Sequence, residues 1–172
     1  LMAREAGLTV DNAGFDTLME QQRDRARAAQ KKEIISVSSL SSGATTEFVG
    51  FERLSATATV TEVVEEKKRT GIVLDRSPFY AEMGGQVGDT GTLSIGGKTW
   101  AVTGTQKAGD AFLHFIKGDG VPEVGGEAEL AVDAARRAAI QRHHTVTHLF
   151  HWALHEVTSP DASQKGSHVG PD

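Results

Sequence analysis

Five of the seven histidines crowd into one window: His143, His144, His148, His151 and His155. The last four fall at i, i+4, i+7 and i+11, a spacing that places them on one face of a helix. Two imidazoles four residues apart, His144 and His148, can offer nitrogen lone pairs to a single metal ion. Zinc suits them, because it binds neutral imidazole and needs no redox partner. Two donors do not complete a tetrahedral set, and the chain has no cysteine to add to it. The same spacing also describes a polar, partly exposed helix face, so both readings stay open. Val146, Phe150, Ala153 and Val157 repeat the pattern two positions later. Two residues turn a helix by about 200°, which sets this apolar stripe nearly opposite the imidazoles.

The second chemically dense stretch is Arg76-Ser77-Pro78-Phe79-Tyr80-Ala81-Glu82-Met83-Gly84-Gly85-Gln86-Val87-Gly88-Asp89-Thr90-Gly91. Pro78 favours a turn, and Gly84-Gly85 permits positive φ and close approach of the backbone to a ligand. Glu82 and Gln86 bracket that turn. A carboxylate there can orient water or accept a proton, and an amide can place water or stabilise an oxyanion. The competing reading is a structural turn whose polar groups bond to the backbone. The Gly-Lys-Ser/Thr ending of a nucleotide-hydrolysing phosphate loop is absent, which argues against that chemistry.

These residues need elements to hold them. Asp11 to Glu33 has helical periodicity through Phe15, Leu18, Met19 and Ala26, with Asp11 or Asn12 as cap. Arg23, Arg27 and Lys31 align along it, as a phosphate-facing stripe or a solvated face. Ser36 to Thr46 reads as a linker. The period then changes to two: Ala56, Ala58 and Val60 alternate with Thr57, Thr59 and Thr61. Further strands are predicted at Gly71–Asp75, Gly91–Ile95, Lys98–Thr103, Ala111–Ile116 and Glu127–Val132, with Gly96-Gly97 as a hairpin turn. Many short strands and glycine turns suggest a small barrel or a strongly bent sheet. Helix resumes at Ala134, with Asp133 as its cap. The predicted class is α+β: an N-terminal helix (1–35), a small β-barrel (36–133), then helices opening a truncated α+β core (134–172).

Composition narrows the classes. With 172 residues, 38% of them hydrophobic, the chain can bury a real core. Zero cysteines exclude a disulfide scaffold. No apolar run reaches the roughly 20 residues of a membrane-spanning helix. Eighteen Lys+Arg against 23 Asp+Glu give a net charge of -5, which argues against bulk electrostatic binding of nucleic acid but permits local basic stripes. The opening Leu1-Met2-Ala3-Arg4 and the polar, turn-rich close from Gln164 to Asp172 read as cut ends.

Taken in order, four stretches resemble alanyl-tRNA synthetase, from the end of its tRNA-recognition helices into its editing domain. They are Glu5-Ala6-Gly7-Leu8-Thr9-Val10-Asp11, Ser77 through Asp89, His144-Thr145-Val146-Thr147-His148-Leu149, and Gln164-Lys165-Gly166-Ser167. The family usually has Thr where Ser77 stands and a small residue where Met83 stands; neither change removes a polar group expected to do chemistry. The resemblance implies ATP- and magnesium-dependent charging of tRNA(Ala) with alanine elsewhere in a longer cytoplasmic protein. Here it implies hydrolytic editing of tRNA(Ala) mischarged with serine or glycine. It assigns zinc to His144 and His148, with a Cys and a His expected beyond Asp172, and it places Gln86, Glu82, Gly84 and Gly85 in the same pocket. The segment alone is then expected to be inactive, with no membrane partner. Two alternatives are a free-standing trans-editing deacylase and a non-catalytic β-barrel module that docks RNA or protein.

Overall fold

The computed structural model describes residues 43–66, 69–159, 161, 164 and 166–172, together with 11, 13, 14 and 17–21. The chain separates into two units, Leu1–Ser36 and Val37–Asp172. In the first, the described residues 13, 14 and 17–21 are helical. Asp11 Oδ1 accepts the Gly14 amide at 2.9 Å, so Asp11 is the cap. The basic stripe Arg23, Arg27 and Lys31 lies outside the described residues.

The second unit is built on a closed six-stranded barrel. Its strands are β2 (Ser55–Glu66), β3 (Arg69–Leu74), β5 (Gly91–Ile95), β6 (Lys98–Ala108), β7 (Ala111–Lys117) and β8 (Glu127–Val132). They run in the spatial order β2-β3-β7-β6-β5-β8, and β8 pairs back onto β2. Every neighbouring pair in the barrel is antiparallel.

The period-2 pattern explains why the sheet closes. In β8, Ala128, Leu130 and Val132 point inward and Glu127, Glu129 and Ala131 outward. Opposing inward residues, among them Val60, Ile72, Leu74, Leu93, Trp100 and Val102, fill the interior. The register shifts between Val60 and Glu62 and between Val102 and Gly104, so the two longest strands each bend once around the barrel. Gly96 and Gly97 have φ of 57° and 81°, as a tight hairpin with two positive-φ positions requires.

Two elements carry no periodic signal: β1 (Glu47–Phe48) and β4 (Arg76–Ser77), which pair in parallel beside the barrel. β4 leads directly into the glycine turn. Helix α1 (Ala134–Val157) follows β8, and Asp133 caps it by accepting the Arg136 amide at 3.0 Å. Only Arg137 and Ile140 of α1 are buried. The predicted apolar stripe is present but uncovered, with Phe150 64% and Val157 83% exposed. Among the described residues, no helix is long and apolar enough to cross a membrane.

Candidate functional site

The turn from Pro78 to Asp89 is fixed first by backbone pairing. Glu82 gives its amide to Thr105 O at 2.8 Å, and Met83 and Gln86 exchange two bonds across Gly84-Gly85. Both glycines sit at positive φ, 62° and 86°. A C-terminal strap then crosses the turn: Val169 donates to Gly85 O at 2.8 Å, and Val87 donates to Val169 O at 3.0 Å. A Cβ on Gly85 would lie 2.1 Å from Ser167 O, so this position needs glycine for space as well as for conformation. Gly85→Ala is therefore expected to release the strap, seen as faster hydrogen exchange at the Val169 amide. Gly84→Ala meets no atom within 4 Å and bears only the backbone term, about 1–2 kcal/mol, with the strap retained.

The far end of the turn is held by the start of α1. Arg137 donates from Nε to both carboxylate oxygens of Asp89, at 3.0 and 2.8 Å, and its Nη2 is also bonded to Asp89. The same guanidinium reaches Gly50 O at 3.0 Å and Pro78 O at 2.9 Å. Asp89 in turn accepts the Tyr80 amide at 2.7 Å. Arg136 donates to Gly88 O at 2.8 Å. Both members of the Asp89–Arg137 pair are buried, so the pair works in a low dielectric.

Two turns further along α1, the histidine pair meets the turn. His144 Nδ1 lies 2.6 Å from Gln86 Oε1, and His144 Nε2 lies 2.9 Å from His148 Nε2. A carbonyl oxygen only accepts, so Nδ1 of His144 carries a proton, and in the neutral imidazole the lone pair then sits on Nε2, facing His148. A metal-binding histidine is set in the same way when a neighbour fixes its tautomer. Gln86 is buried, while His144 and His148 remain exposed. The two imidazoles fit zinc as half of a tetrahedral set. Among the described residues, no group of three or more His, Cys, Asp or Glu is placed to hold a metal.

The structure thus brings Gln86, His144 and His148 together beside Gly84 and Gly85. Glu82 is exposed, and among the described residues its carboxylate makes no hydrogen bond to the other three. His151 and His155 meet edge to face, with ring centroids 4.5 Å apart. A cavity of about 510 Å³ lined by Glu47, Phe48, Phe51, Arg53 and Arg76 includes none of Gln86, His144 or His148.

Sequence reasoning missed a second buried polar pair. Ser77 Oγ is 2.7 Å from His114 Nε2, and His114 Nδ1 is 3.0 Å from Ile72 O. The carbonyl requires the proton on Nδ1, so the Ser77 hydroxyl donates to Nε2 while it accepts the Phe79 amide at 3.1 Å. Burial lowers the His114 pKa from 6.5 to about 4, with backbone hydrogen bonds opposing only in part. Both residues are inaccessible, so the pair is a brace under the turn rather than a nucleophile and its base.

A model of the family "tRNA synthetases class II (A)" matches residues 1–136. Over its whole length the chain is 47% identical to an alanine--tRNA ligase of Akkermansia muciniphila, 44% to one of Salinibacter ruber and 43% to one of Methylacidiphilum infernorum. It spans 18–19% of the length of each of these relatives. With a family match over most of its residues and relatives similar from end to end, the chain belongs to the class II tRNA synthetases, among sequences of the alanine--tRNA ligase kind.

Proposed function

We propose that the chain is part of a longer alanine--tRNA ligase and supplies half of a hydrolytic site that removes serine or glycine wrongly esterified to tRNA(Ala). The observation that supports this most is the unbroken array from Gln86 Oε1 through His144 to His148, at 2.6 and 2.9 Å. Charging of tRNA(Ala) with alanine, using ATP and magnesium, belongs on this reading to other parts of the same cytoplasmic protein.

Ester hydrolysis needs an oriented carbonyl, a placed water and a partner for the developing oxyanion. Gln86 spends its carbonyl oxygen on His144, which leaves its NH₂ group to orient water or to donate to the oxyanion. Gly84 and Gly85 are exposed and present only backbone, so an aminoacyl ester can approach closely. Glu82, at the rim, accepts a proton released by the attacking water. His144 and His148 would hold zinc by their Nε2 atoms, together with donors the described residues do not include. Zinc, when bound, supplies Lewis acidity or an activated water. A site that hydrogen-bonds the serine hydroxyl rejects alanine strongly, since alanine leaves the site's polar groups unpaired.

The test is deacylation of seryl-tRNA(Ala) by the longer protein. Gln86→Ala and His148→Ala are each expected to lower the rate by about 10²-fold or more, while charging with alanine is unchanged. The 172-residue chain alone is expected to release no serine. Undiminished hydrolysis in either folded variant would remove the proposal.

A further inference from the structure

We propose that Arg137 is the positioning residue that holds Gln86 against His144. Arg137, His144 and His148 stand at i, i+7 and i+11, which places both histidines within roughly 20° of Arg137 around α1. Arg137 grips Asp89 and His144 grips Gln86, so the helix and the turn are joined by two rungs. The rails between the rungs are of comparable reach. Seven residues of helix rise about 10.5 Å. Three residues of chain, from Asp89 back to Gln86, span at most about 10 Å.

With only three residues between Asp89 and Gln86, fixing the first rung limits how far Gln86 can move from His144. Arg137 is suited to this because one planar guanidinium bonds Asp89, Pro78 O and Gly50 O together, at the base of the turn. An ammonium is a point charge and cannot reproduce that fork. The first rung is buried and the second is partly open, so the order in the second is set by the first.

The experiment uses the 172-residue chain in EDTA, with the side-chain nitrogens of His144 read by NMR at one fixed pH. Wild type is expected to show His144 with its proton on Nδ1. Arg137→Lys is expected to lose that signal, while the Trp100 indole N–H, bonded at 3.0 Å to Gly120 O in the loop after β7, keeps its shift. If the Trp100 signal shows that Arg137→Lys does not fold, Asp89→Glu makes the same test, since it keeps both charges and lengthens the rung by one methylene. A retained Nδ1 proton in either folded variant overturns the proposal.

A second arm, in the longer protein, rests on the editing function proposed above. Folded Arg137→Lys is expected to lower kcat for seryl-tRNA hydrolysis about 10²-fold, as a misplacement near 1 Å does, with KM and alanine charging unchanged. If wild type hydrolyses nothing, the editing function falls. The loss of the Nδ1 signal in the first arm would still uphold the role of Arg137.

Discussion

Asp89→Ala is expected to lower the free energy of unfolding by about 3–5 kcal/mol, the usual cost of leaving one member of a buried ion pair alone. The substitution strands the Arg137 guanidinium, whose side chain is only 7% exposed, and removes the acceptor of the Tyr80 amide. Replacing both residues with apolar ones recovers only part of the loss, because Gly50 O, Pro78 O and the Tyr80 amide still lose their partners. Urea denaturation followed by circular dichroism measures the difference. The surface pair Arg53–Glu52 is mostly exposed, at 62% and 83%, and provides the contrast. Glu52→Ala is expected to change stability by well under 1 kcal/mol. Equal effects for Asp89→Ala and Glu52→Ala would mean that the buried pair does not anchor the turn.

Acidification from pH 6.5 to 4 is expected to cost about 3 kcal/mol through His114 alone. The sign follows from its lowered pKa, about 4 when folded against 6.5 when exposed. Between these values the unfolded chain binds a proton that the folded chain refuses. The contribution is therefore complete above pH 6.5 and falls away as pH drops through 4. Carboxylates also titrate at the lower end of this window, so the measurement is a difference. Wild type and His114→Gln are unfolded in urea at several pH values, and wild type should show an extra slope worth one proton. Parallel slopes would mean that the imidazole is not held neutral between Ser77 and Ile72.

Much of the barrel is readable because an alternating strand sorts chemically different residues to its two sides. The segment 55–61 and the Glu127–Val132 strand declare themselves in that way. The His144–His148 geometry is readable for a similar reason, since the pitch of a helix converts spacing directly into a shared face. The β1–β4 pair is not readable, because two-residue strands have no period. Arg136 and Arg137 look like ordinary cations near a helix start until the fold carries Asp89 and Gly88 to them across 48 residues of chain. Ser77 and His114, 37 residues apart, meet only when β4 and β7 are in place. Glu82 shows the converse limit: its nearness in sequence to Gln86 does not bring its carboxylate into the hydrogen-bonded array.

The two tryptophans of the chain occupy opposite environments, Trp100 3% exposed within the barrel and Trp152 63% exposed on α1. Their fluorescence consequently divides the molecule into two optical channels. A water-soluble quencher such as acrylamide or iodide reaches the indole on the helix and spares the one in the barrel. Anything that settles over the helix surface shifts the red-edge emission to the blue and shields it from quenching, while the blue component keeps reporting on the sheet.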